Sequence, residues 1–268
     1  MTLLIGIICT DGIVVASDSQ TTDEWGQKRD DSQKVSVLEL ADGTSGLIAL
    51  AGEAGFSAQA VERMERNATM KRFTDYRAIP DLAVQSLAEM RQFQARSFRL
   101  GSRELNRLFS ENRFWILSAS YWKTKPYLFV FSSETQSATW QRNKLYASVG
   151  NSSATADYVL RKFDFQQMDA LTGTLAAIFA INEVIGVDST CGPPIRVGIV
   201  TLKGLRSRSK AHLRDQQWVA RVTAEFANLK NKLDDALRTH LNDALVMTAL
   251  AMKQLKIKQV SERYPHKI

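Results

Sequence analysis

The sequence predicts an α+β protein. Two sheets pack face to face with helices outside both, a four-layer αββα body, and a helical extension follows at the C-terminus. Three observations lead there. The first fifty residues carry apolar runs of strand length. Two helical stretches come next, then strands, two more helices and a strand. Beyond about residue 204 the pattern becomes one long amphipathic stripe, and the charge balance changes with it.

The opening "LLIGIIC" and "IVVAS" are continuous apolar runs joined by Thr10-Asp11-Gly12, a hairpin signal. "VSVLEL" and "GLIALA" form a second hairpin around residues 41–45. Runs of this kind suit strands covered on both faces. The period then lengthens. Phe56, Ala60 and Met64 recur at helical spacing between Glu53 and Arg66. Pro80-Asp81 opens a second helix, with Ala83, Leu87, Met90 and Phe93 as its apolar stripe. "FWILSASYW", "YLFVFS" and "LYASVG" read as strands, and helices follow over about 152–164 and 168–186. "IRVGIVTL" is the expected final core strand, which places the domain limits at 1–204 and 205–268. In the second segment Val222, Phe226, Leu229, Leu233, Leu237, Leu241 and Leu245 step by three or four.

The net charge of +7 is unevenly placed. Residues 204–268 hold 13 Lys and Arg against 6 Asp and Glu, whereas residues 1–203 hold 22 of each. All three histidines (His212, His240, His266) also lie in the tail, so the body has none for a Ser-His or Cys-His pair. The neutral body and the lack of a recognition motif argue against nucleic acid as a partner, and the basic face reads as solvated or as a ring contact. Two cysteines, Cys9 and Cys191, make no disulfide framework and suit a reducing cytoplasm. No Cys/His cluster has metal-ligand spacing, and no cofactor is expected. No run reaches the roughly 18 apolar residues of a membrane span, and the opening run lacks the features of a signal peptide.

Removal of Met1 would leave Thr2 with a hydroxyl and a free α-amine on one residue. An α-amine titrates near about 8 and can serve as a general base at neutral pH. Such a pair replaces Ser-His without any histidine. An ammonium nearby would favour the developing alkoxide, and Lys34 can supply it. Asp18, at the end of the second strand, is the anion that would hold Lys34.

Thr2, Asp18 and Lys34, in the setting "T…DGIVVASDSQTT…K-V", resemble the proteasome β-subunit and HslV family of N-terminal-nucleophile threonine peptidases. The resemblance extends to "ALAGEAG" (Ala49–Gly55), "SVGNSS" (Ser148–Ser153) and "VDSTCGPPIRVGIV" (Val187–Val200), and covers roughly residues 2–202. Among bacterial branches the chain looks most like the betaproteobacterial proteasome homologue, with Anbu next. The resemblance implies an N-terminal-nucleophile hydrolase sandwich. In it Thr2 is nucleophile and base, Lys34 and Asp18 tune it, the Gly52 N–H stabilises the oxyanion, and Asp188 orients the amine. Gln20 and Thr22 would bind substrate, Thr22 by pairing its backbone with an extended chain. Asn151 stands where the family usually has the Ser of Gly-Ser-Gly, and Cys191 where it often has a Ser. The family implies homo-oligomeric stacked rings, unfolded polypeptide as substrate and an AAA+ unfoldase as partner, though no residue here identifies one. Two other readings share the fold: an inactive proteasome-like ring or scaffold, and a small-molecule amidase.

Overall fold

The computed structural model describes residues 2–22, 28–29, 34–40, 43–70, 79–140, 144–203, 208–228, 231–232 and 235. Its strands are β1 (Leu3–Ile8), β2 (Ile13–Ser17), β3 (Thr21–Thr22), β4 (Lys28–Arg29), β5 (Val35–Glu39), β6 (Ser45–Gly52), β7 (Phe114–Trp122), β8 (Lys125–Ser132), β9 (Ser137–Trp140), β10 (Tyr146–Gly150), β11 (Arg196–Lys203) and β12 (Arg208–Leu213). Its helices are α1 (Ala54–Met70), α2 (Ile79–Ser97), α3 (Ser102–Glu111), α4 (Ser153–Leu160) and α5 (Ala170–Val187), and residues 216–228 are helical as well.

One sheet has the order β10-β1-β2-β11-β12 and the other β5-β6-β7-β8-β9. Their pairings are antiparallel throughout. Alternation along each strand sorts side chains between two faces. Leu4, Ile13, Val15 and Val200 of the first sheet meet Leu47, Ala49, Leu117 and Leu128 of the second in one core. The close approach depends on small residues: a Cβ on Gly198 would sit 2.8 Å from the Leu47 methyls. Residues of opposite parity are buried too. Ile7, Cys9 and Val14 face Gly173 of α5. Ile48, Ile116 and Phe131 pack under Met64 of α1 and Leu82 and Met90 of α2. These four layers are the αββα body that the sequence predicts.

Besides the short strands β3, β4 and β9, two larger elements go beyond the sequence expectation. Helix α3 was not foreseen. It buries Phe109, whose ring meets Phe56 edge-on at 5.1 Å, and half-buries Leu105 and Leu108. Strand β12 continues the first sheet past the expected limit near Gly204, pairing from Gly198↔Leu213 to Lys203↔Arg208. The compact unit accordingly runs over Met1–Thr223, and a second unit over Ala224–Ile268. "RSKAHL" is a basic, broken pattern of the sort edge strands carry, so it did not read as core. Of the predicted tail stripe, Val222 and Phe226 fall in the helical residues 216–228; Leu229, Leu233, Leu237, Leu241 and Leu245 lie outside the described residues.

Helix α5 has the length and mean hydropathy (1.7) of a membrane span. Half of it is buried, and Ala176, Ala177, Ile178, Ala180 and Ile181 lie wholly or almost wholly inside the protein. It is the core helix of the first sheet.

Leu47→Ala should lower stability by about 2–5 kcal/mol in urea denaturation, because a fully buried leucine leaves a cavity between two sheets. Glu39→Ala, at an exposed strand end, should change it by less than about 0.5 kcal/mol.

Candidate active site

The site lies where β1, β2, β6 and β10 end together. Thr2 precedes β1 and is 4% exposed. Asp18 follows β2 directly and is fully buried. Its Oδ1 accepts the Leu3 N–H at 2.9 Å and its Oδ2 the Gly192 N–H at 3.3 Å. Lys34, just before β5, is 5% exposed and places Nζ 3.2 Å from Asp18 Oδ1. The same ammonium donates to the Gln20 carbonyl. Burial pushes the Asp18 carboxyl up and the Lys34 ammonium down, each against the pull of the other. The pair is therefore a buried ion pair whose lone pairs and protons are largely satisfied, the condition under which such a pair is tolerated.

Thr2 faces a cavity of about 170 Å³ that it shares with Gly52, Glu53, Glu111, Arg113, Trp115 and Asn151. Two glycines shape this space. Gly52 has φ +100°, and a Cβ there would lie 2.4 Å from the Arg113 carbonyl oxygen. Gly150 has φ +113°, and a Cβ there would lie 1.8 Å from the Thr2 carbonyl oxygen. Any other residue at 150 would push Thr2 out of place. Glu53 caps α1: its carboxylate accepts the Phe56 N–H, and its own N–H donates to the Arg113 carbonyl at 3.1 Å.

A third cluster comes from the turn after α5. Asp188 Oδ1 accepts the Thr190 N–H at 2.8 Å and the Thr190 hydroxyl at 2.6 Å. Asp188 Oδ2 accepts the Ser152 hydroxyl, and these bonds hold the carboxyl below its ordinary range. Cys191 is buried, with Sγ 3.4 Å from Ser152 Oγ, and burial pushes its thiol up.

The sequence reading gave the serine's place in the "SVGNSS" turn to Asn151. The structure puts Asn151 at the exposed cavity wall and brings the next residue, Ser152, buried, to Asp188 and Cys191. The positive φ of Gly150 and the start of α4 at Ser153 turn residue 152 inward. Ser152 was within the quoted motif, but a one-residue shift is invisible to spacing alone. Gln20, expected to bind substrate, is 4% exposed. Its amide donates to the Ser189 carbonyl at 3.4 Å, so it braces Lys34 and the 189–192 turn. Thr22 lies in β3, opposite Lys28 of β4. Glu53, Glu111, Arg113 and Trp115 were not foreseen, since they reach the cavity from the β6–α1 and α3–β7 junctions. Among the described residues no His, Cys, Asp and Glu group could hold a metal ion.

Gly150→Ala should destabilise the protein by more than about 2 kcal/mol, from left-handed strain and the clash with the Thr2 carbonyl. Gly186→Ala, in α5 with open space around it, should stabilise by roughly 0.5–1 kcal/mol. Chemical denaturation separates the two. Ser152→Ala should cost roughly 1 kcal/mol at neutral pH by removing a hydrogen bond to a carboxylate. Because that bond depresses the folded-state pKa of Asp188, its contribution is full above the ordinary carboxylate range and is lost as pH falls through the depressed value. The stability gap between wild type and Ser152→Ala should therefore close below about pH 4.

Comparisons with known proteins bear on the fold and the family. The family model "Proteasome subunit" matches residues 2–200. A search of curated protein sequences gives no match. Anbu from Yersinia bercovieri is similar in structure, with TM-score 0.65 and 12% identity over 87% of this chain and 96% of that one. Anbu from Pseudomonas aeruginosa, solved as a helical assembly, gives TM-score 0.67 and 14% identity over 88% and 95%. At such identities the likeness shows the fold. The family match covers most of the chain, and on it this protein belongs to the proteasome subunit family.

Proposed function

We propose that the protein is a threonine-type endopeptidase that hydrolyses peptide bonds of unfolded polypeptides, with Thr2 as nucleophile once residue 1 is removed. One observation carries this reading. The buried Asp18–Lys34 pair grips the peptide N–H of Leu3, the residue bonded to Thr2, beside a cavity that Thr2 shares with Gly52.

In this mechanism the α-amine of Thr2 takes the hydroxyl proton as Oγ1 attacks the substrate carbonyl. Lys34's ammonium favours the developing alkoxide. The oxyanion forms at the Gly52 N–H, at the junction of β6 and α1. The proton held on the amine passes to the leaving nitrogen, and the peptide bond breaks. Water then hydrolyses the threonyl ester, with the same amine as base. Asp188 and Ser152 position the amine end of Thr2. An extended substrate pairs with the backbone of β3 at Thr22. Homo-oligomeric rings in the cytoplasm, fed by a partner that unfolds substrates, complete the proposal. The helical assembly of the Pseudomonas aeruginosa Anbu complex supports self-association of the fold.

Intact-mass analysis after incubation with a peptide epoxyketone tests it, since that probe needs a hydroxyl and an α-amine on one residue. Material that begins at Thr2 should gain the mass of one probe per chain and cleave peptides. Lys34→Met, which keeps the stem and removes the ammonium, should do neither within detection. No adduct and no cleavage by chains shown to begin at Thr2 would overturn the assignment and favour an inactive ring protein.

A further inference from the structure

A larger cavity, about 470 Å³, lies along the open edge of β10. Among the described residues β10 is the end strand of its sheet, and it pairs with β1. Lys144 to Ser148 line the cavity without a gap, so the strand presents its backbone edge to it. The Leu145 carbonyl takes the Ile8 N–H at 2.7 Å. Antiparallel pairing alternates from there, which turns the N–H and C=O groups of Tyr146 and Ser148 away from β1 and towards the cavity.

The walls are divided chemically. One side is apolar: the Tyr146 and Phe165 rings lie 5.0 Å apart, and the Leu145 side chain is 38% exposed beside them. The rim is cationic. Lys144 and Arg161 are both exposed there, and among the described residues neither forms an ion pair. The wall also holds a carboxylate, Asp157, whose Oδ1 accepts the Ser148 hydroxyl at 2.5 Å. The volume falls within the roughly 300–1,000 Å³ of small-molecule sites. None of these residues takes part in the site at Thr2.

We propose that this cavity binds a small organic anion. Its carboxylate or phosphate is held by Arg161 and Lys144, and its aryl or acyl body lies against Leu145 and the Tyr146–Phe165 pair. Arg161 supplies a planar fork suited to either anion, and Lys144 a second charge. The exposed N–H groups of the strand edge add donors without adding specificity.

Isothermal titration of the full chain with phenyl phosphate tests this, with inorganic phosphate and phenol as the anion alone and the body alone. Phenyl phosphate should bind saturably at one site per chain, at least tenfold tighter than either part. Arg161→Gln with Lys144→Gln should weaken it at least tenfold, and Leu145→Glu likewise. Arg103→Gln, an exposed cation on α3, should leave it unchanged. All four positions carry exposure, and unchanged thermal unfolding of each variant would separate lost binding from lost fold. No binding of phenyl phosphate, equal binding of inorganic phosphate, or undiminished binding by the double variant would each overturn the proposal.

Discussion

The buried Asp18 carboxylate is the constraint on which the site is built. It gathers donors from three separate places in the chain: the start of β1, the approach to β5, and the turn before β11. A fully buried charge with these partners withdrawn would cost several kcal/mol, so the segments are held together by the need to satisfy it. Leu3 and Asp18 also exchange backbone and side-chain bonds in both directions, since the Asp18 N–H donates to the Leu3 carbonyl at 3.3 Å. The position of residue 2 then follows from the position of residue 3.

The sheets make that arrangement possible by what they leave out. Their facing surfaces are almost wholly apolar, and the polar cluster begins only where β1, β2 and β6 run out. Helix α1 starts at this same edge, with Glu53 capping it next to Gly52. The end of a strand, the start of a helix and a buried ion pair thus meet within a few residues. The outer helical layers cover the opposite faces of the sheets, and only their ends reach the site, through Glu111 of α3 and the Asp188 that follows α5.

Much of this was legible in the sequence. β1, β2 and β6 are unbroken apolar runs because they are covered on both faces, and such runs are hard to mistake. Asp18 and Lys34 could be paired by their separation and setting. α3 and β12 were hidden for physical reasons. α3 is a polar helix that buries one phenylalanine completely, and β12 is an edge strand with an exposed Lys210. Ser152 was hidden by geometry, because the left-handed turn at Gly150 decides which of two neighbouring residues faces inward, and composition carries no record of that. The contacts of Gln20, its carbonyl to Lys34 and its amide to the Ser189 carbonyl, depend on chain folding that spacing does not record.

The grip on Thr2 acts through its carboxyl side, on the nitrogen of the following residue and on its own carbonyl beside Gly150. None of those contacts uses the amino side, where the preceding residue attaches. On the proposed mechanism, folding and arming are then independent events. A subunit would then reach its final shape while still blocked, and a single cleavage would turn it on. Latency would be a matter of one covalent bond rather than of conformation, so the timing of activity would belong to whichever enzyme trims the chain.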